Sequence, residues 1–112
     1  MIQYLEEKAD EIGLGIETTK KLLEKFVDVT RLDLENLKDA AEEGEWARVR
    51  QTAHHIKGAA VNFNLTEITE AADRLETISE APDQSRIAEL IEDIEDQYDR
   101  LRTLVNDFDG HN

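Results

Sequence analysis

Apolar residues return every three or four positions along most of this chain, in blocks separated by short polar or glycine-containing breaks. That is the period of helices with one buried side. The first block carries Ile2, Leu5, Ala9 and Ile12 and stops at Gly13-Leu14-Gly15, where two glycines end a helix and let the chain turn. A long helix is predicted from Glu17 to Glu43, with Leu22, Phe26, Val29, Leu34, Leu37 and Ala41 on one side and Thr18 or Thr19 as a cap. Only Gly44 and Glu45 separate it from the next apolar period, that of a third helix from about Glu45 to Phe63 with the stripe Trp46, Val49, Ala53, Ile56, Ala60 and Phe63. So short a connection makes the two helices antiparallel neighbours. After a break at Asn62-Phe63-Asn64, a fourth helix from Leu65 to Ser79 carries Leu65, Ile68, Ala72, Leu75 and Ile78. Ala81-Pro82-Asp83 marks the next boundary, since proline fits a first helical turn and not an interior. The last helix, Pro82 to Asn106, carries Ile87, Ile91, Ile94, Tyr98, Leu101 and Val105, and 107–112 reads as a frayed tail.

The expected fold is all-α: an antiparallel up-and-down four-helix bundle over 16–106, with a short N-terminal helix and turn over 1–15 lying across one end. The 112 residues suffice for one domain with one core. The stripes are used up within one bundle, so a monomer is expected. Composition agrees, with 36% charged residues, 5% aromatic and a single proline. A net charge of −14 repels nucleic acid and anionic membranes and leaves proteins, metals or small cations as the more plausible partners. Without cysteine, disulfide and thiolate chemistry are excluded. The start has no signal-peptide pattern and no window approaches a membrane-spanning run. A cytoplasmic, free-standing module is the expectation.

Candidate chemistry lies in the third helix, at Ala53-His54-His55-Ile56-Lys57-Gly58-Ala59-Ala60. At roughly 100° per residue, the buried stripe leaves His54 on an outward side together with Arg50, Lys57, Gly58 and Val61. Arg48, Arg50 and Lys57 face one acid, Glu45, so this segment carries +2 on a chain of −14 and leaves −16 for the rest. A local positive potential is expected where an anion or acidic partner would dock. His55 points about 100° away, toward Arg48, Thr52 and Asn62, and reads as a solvated bystander. Bundles bind metals through Glu-x-x-His sets, but no carboxylate lies three or four residues after either histidine. Nor is there a Ser-His-Asp set, an acid pair or a phosphate loop. Neither a metal site nor an enzyme is expected.

The run His54, His55, Ile56, Lys57, Gly58, Ala59, Ala60 resembles the motif of the histidine-containing phosphotransfer domain of bacterial and eukaryotic phosphorelays. In that motif a His is followed by any residue, an aliphatic, Lys, Gly and two small residues. The resemblance reaches back through Phe26, Leu34, Leu37, Ala41 and the Glu-Glu-Gly-Glu-Trp turn, about two-thirds of the chain. Many members have a small pair, often Gly-Ala, about ten positions after the histidine. Here Asn64-Leu65 stands there, and Asn tolerates the left-handed conformation a turn needs.

The resemblance implies a phosphocarrier. His54 would accept a phosphoryl group from a phosphorylated receiver domain, or from a sensor or hybrid histidine kinase, and pass it to a second receiver. A neutral imidazole, with a reference pKa near 6.5, is nucleophilic at neutral pH. Phosphoryl transfer needs positioning and charge stabilisation more than covalent help. Lys57 would offset oxygen charge, and Gly58 would allow close approach at about 1 kcal/mol of helix stability relative to Ala. Ala47, Gln51 and Val61 would complete the docking surface. Arg50 would meet partner carboxylates, and Arg74, placed by antiparallel geometry near the level of His54, would contact phosphate. Magnesium belongs to the receiver in this family, so no cofactor is expected. The alternative is a bundle that binds or sequesters a receiver without being phosphorylated.

Overall fold

A computed structural model describes residues 2–110. Five helices follow in order: α1 Ile2–Ile12, α2 Ile16–Glu42, α3 Trp46–Val61, α4 Thr66–Ile78 and α5 Gln84–Gly110. No strand occurs among the described residues. The fold is the all-α bundle expected, with its short extra helix at the N-terminus.

Helix α2 packs on α3 and α5, and α4 packs on the same two, which closes a ring around one core. Cross-helix pairs fix the directions. Asn36 Nδ2 donates to Thr52 Oγ1 at 3.0 Å and Asp33 meets His55 at 2.7 Å; both pairs straddle Gly44 evenly, as antiparallel neighbours must. On the other flank of α2, Tyr98 donates its hydroxyl to the Val27 carbonyl at 2.9 Å and Lys38 pairs with Glu95. Helix α5 therefore runs against α2 as well.

Three of the turns use residues that accept positive φ: Gly13 after α1, with φ 83°, Gly44 and Asn64. Gly44 has φ 69°, and beyond it the Glu45 N–H returns to the Ala40 carbonyl at 2.9 Å. Asn64 has φ 53°, and the Leu65 N–H returns to the Ala60 carbonyl at 3.1 Å. Each closes its helix by the i to i−5 bond of a Schellman ending. Asn64 thus does what its tolerance of the left-handed region allows.

Helices α2 and α5 have 27 residues each, against 16 in α3 and 13 in α4. The long pair outreaches the α3–α4 hairpin by roughly 16 to 21 Å at 1.5 Å per residue. Helix α1 covers that end. Its Leu5 and Ala9 are buried, and the Lys8 ammonium donates to the Asn64 carbonyl at 2.8 Å. The cation thereby satisfies a carbonyl just past the end of α3.

Four expectations are corrected. The stripe of α2 is Thr19, Leu23, Phe26, Val27, Thr30, Leu34, Leu37 and Ala40, whereas Val29 is exposed and Leu22 half-buried. The buried line passes through threonines, which a binary apolar pattern skips. Thr18 and Thr19 lie inside α2 and cap nothing; Gly15 holds the N-cap position without a side-chain bond. Pro82 precedes α5, and the carboxylate of Asp83 accepts the Arg86 N–H at 3.2 Å as the cap. The backbone of α5 stays helical to Gly110, past Val105, the last buried one among the described side chains, because nothing before that glycine breaks it. Residues 111–112 of the expected tail lie outside the described residues.

The hydroxyl of Thr30 is buried and has no hydrogen-bond partner. Replacing it by a methyl of similar shape removes that desolvation cost. Thr30→Val should raise unfolding free energy by about 1 kcal/mol, read from urea titration.

Candidate functional site

The rotation of α3 is fixed by its buried side: Val49, Thr52, Ala53, Ile56 and Ala60, with Phe63 stacked edge-on against Phe26 at 5.7 Å between centroids. The opposite side carries Ala47, Arg50, Gln51, His54, Gly58 and Val61, all exposed. Six of the residues singled out from sequence thus share one open face. Lys57 stands at its edge, half-buried against α4.

Two α4 carboxylates complete the arrangement. Glu76 Oε1 lies 3.0 Å from His54 Nδ1, and its Oε2 lies 2.8 Å from the Lys57 ammonium. Asp73 Oδ1 takes the same ammonium at 3.2 Å. The pairs His54–Glu76 and Lys57–Asp73 both straddle Leu65 evenly, as does Arg50–Glu80 at 4.0 Å. One antiparallel hairpin register therefore assembles the whole row.

Charge follows from these contacts. The Lys57 ammonium, aided by His54, holds the Glu76 carboxyl below its ordinary value of 4.5. Glu76 and then Asp73 hold the Lys57 ammonium above its ordinary 10.5. An ionised carboxylate only accepts hydrogen bonds, so Nδ1 of neutral His54 carries the hydrogen. Its lone pair is then on Nε2, the nitrogen left to solvent on a side chain 69% exposed. Orientation of one ring nitrogen by a carboxylate sets what the other can do.

Other expectations are revised. The excess positive charge of α3 does not stand free, because neighbours answer each cation: Lys57 as above, Arg50 by Glu80, and Arg48 by Glu45 at 2.9 Å and Glu43 at 3.8 Å. Arg48 also donates to Asn36 Oδ1 at 2.7 Å. Arg74 is not brought to His54. It lines a hollow between α4 and α5 with Glu67, Glu70, Asp93 and Arg100, since Asp73 and Glu76 occupy the side of α4 that faces α3. His55 is exposed as expected, yet its Nδ1 is tied to Asp33 of α2, and Thr52 beside it is buried. Glu76 and Asp73 escaped the reading of the sequence. Counting equal distances on either side of the break at Asn64-Leu65 would have found both.

Residues 21–104, from the first turns of α2 into the last turns of α5, match the Hpt domain family, and the chain belongs to that family. It is a phosphotransfer module of two-component signalling. No curated protein and no solved structure matches it. Among the described residues no helix is long and apolar enough to cross a membrane, and no group of three or more histidine and carboxylate side chains is placed to hold a metal ion.

Proposed function

We propose that this protein accepts a phosphoryl group on Nε2 of His54 from a receiver phosphoaspartate, or from a histidine kinase, and delivers it to the aspartate of a response-regulator receiver. The observation that carries this reading is the His54–Glu76 contact, which turns the nucleophilic nitrogen outward on a face free of bulk. The partner docks across Ala47, Arg50, Gln51, Gly58 and Val61. The Nε2 lone pair forms the N–P bond as the P–O bond to the donor aspartate breaks, and that aspartate leaves as a carboxylate. The imidazole becomes cationic, its Nδ1 hydrogen still shared with Glu76. Lys57 offsets charge on the phosphoryl oxygens. Onward transfer runs the same step in reverse, the N–P electron pair returning to Nε2. The protein is a carrier and not an enzyme, restored unchanged after each cycle.

Incubation with a phosphorylated receiver should give an acid-labile, alkali-stable phosphoprotein, with the phosphoryl group mapped to Nε2 of His54 by NMR. Binding of the receiver without transfer would favour sequestration instead.

Gly58 supplies a second test. A Cβ there would meet nothing within 4 Å, so the glycine serves no packing inside the free protein. Gly58→Ala should stabilise α3 by about 1 kcal/mol, a few degrees in Tm, while slowing transfer through a methyl group placed under the docked partner. A stabilised variant that transfers at the wild-type rate would show that close approach at Gly58 is not needed.

A further inference from the structure

Lys57 is the cation nearest the phosphoacceptor in sequence, yet in the unmodified protein both of its close partners are carboxylates of α4. They are not equivalent. Glu76 is 25% exposed and is also committed to His54, whereas Asp73 is 62% exposed and among the described residues its carboxylate meets only Lys57. We propose that Asp73 is a positioning residue that competes with the phosphoryl group for the Lys57 ammonium and so shortens the life of phosphorylated His54. This rests on His54 being the acceptor and adds what governs how tightly it holds its cargo.

Before transfer, Asp73 and Glu76 share one ammonium. After transfer the phosphoryl oxygens add negative charge beside both carboxylates. The water-exposed contact to Asp73 is the weaker hold, and it is the one Lys57 gives up. The phosphoryl group therefore gains Lys57 only against a standing competitor, and it is carried in a state poised for release. When the N–P bond breaks, the electron pair returns to Nε2, the phosphorus takes the oxygen of a receiver carboxylate or of water, and Lys57 falls back on Asp73. Such an arrangement suits a relay that passes phosphate on and not a store that keeps it.

Phosphoramidate can load the protein without any partner: its P–N bond breaks, ammonia leaves and the N–P bond to Nε2 forms. In a background carrying both His55→Gln and His111→Gln, which leaves His54 as the one histidine of the sequence, loaded protein is freed of donor. Loss of the phosphoryl mass increment is then followed at neutral pH. Asp73→Asn should lengthen the half-life about fivefold, the effect of one unit charge at about 4 Å in water. The gain should vanish in about 1 M KCl, where screening reaches about 3 Å, and Asp73→Glu should keep the wild-type half-life. Equal half-lives for Asp73→Asn and wild type at low salt overturn the competition and leave His54 as acceptor. A difference that persists undiminished at high salt overturns it too, because it then arises from structure and not from charge. Protein that takes up no phosphoryl group on His54 overturns both readings together.

Discussion

His54→Gln should abolish phosphorylation outright, while His55→Gln should be labelled by the same phosphorylated receiver to the wild-type level. The two histidines are neighbours in sequence and both have Nδ1 bonded to a carboxylate, so composition around the ring does not distinguish them. Their direction does. His54 lies on the open side of α3 with Gly58 one turn on and Lys57 between it and α4. His55 is turned about 100° toward α2, and the cation nearest it along that flank, Arg48, is spent on Asn36, Glu45 and Glu43. A phosphoryl group arriving at His55 would meet Asp33 without a counter-charge. Neither substitution touches the core, since both side chains are more than 60% exposed, and losing an exposed pair costs up to about 1 kcal/mol. Unchanged helicity by circular dichroism would therefore accompany both results. Label lost in His55→Gln and retained in His54→Gln would move the acceptor to the other side of the helix.

The stripes of α3, α4 and α5 were legible because each has one row of apolar residues and no rival row: Ile87, Ile91, Ile94, Tyr98, Leu101 and Val105 are all buried. Helix α2 offers two rows. Leu22 and Leu23, or Val27 and Val29, are equally apolar, and the choice between them rests on Thr19 and Thr30, which are buried with the core although their hydroxyls mark them as polar. Packing among four helices decided that face; the local pattern did not. Glycine turns were readable because positive φ leaves few residues eligible. The cap of α5 at Asp83 went to the residue that could place an oxygen over an open N–H, one step beyond the proline.

The open face of the candidate site was readable for the same reason as the core, since burying Val49, Ala53, Ile56 and Ala60 leaves His54 and Gly58 no other direction. Its electrostatics were not. Summing charge along α3 treats a helix as isolated, but exposed charges interact within about 8 to 10 Å, and here the nearest carboxylates come from the neighbouring helix. The hairpin register about Leu65 matches a base on α3 with an acid on α4, or in the turn just after it at Glu80, at three successive levels. The same register removes Arg74 from the site, because a residue one step along from Asp73 is turned by about 100°.

Glu76→Ala should slow single-turnover phosphoryl transfer by roughly 10- to 100-fold, by analogy with the loss of a carboxylate that orients a metal-ligating histidine, with receiver binding unchanged. Two losses combine. Without the carboxylate, His54 can carry its hydrogen on Nε2, a tautomer with no lone pair to offer the phosphorus, and the imidazolium formed on transfer has no anion beside it. One effect opposes them: Lys57, released from Glu76, is freer to meet the phosphoryl oxygens. The losses should win, because Asp73 still holds the ammonium whereas no other described side chain bonds His54 Nδ1. Glu76→Gln separates the two losses, since its amide oxygen still accepts from Nδ1 but carries no charge, and it should fall between Ala and wild type. The carboxyl of Glu76 is held below 4.5, so its contribution to the fold is complete above that pH and fades as pH falls through the lowered value. Lys57 is held above 10.5, so its contribution is complete below that pH and fades as pH rises through the raised value. The pair is therefore constant between about pH 5 and 9, and the deficit of Glu76→Ala should be present throughout that range in quench-flow measurements. A variant as fast as wild type, or one whose deficit disappears within that window, would remove Glu76 from the mechanism and with it the case for Nε2 as the reacting atom.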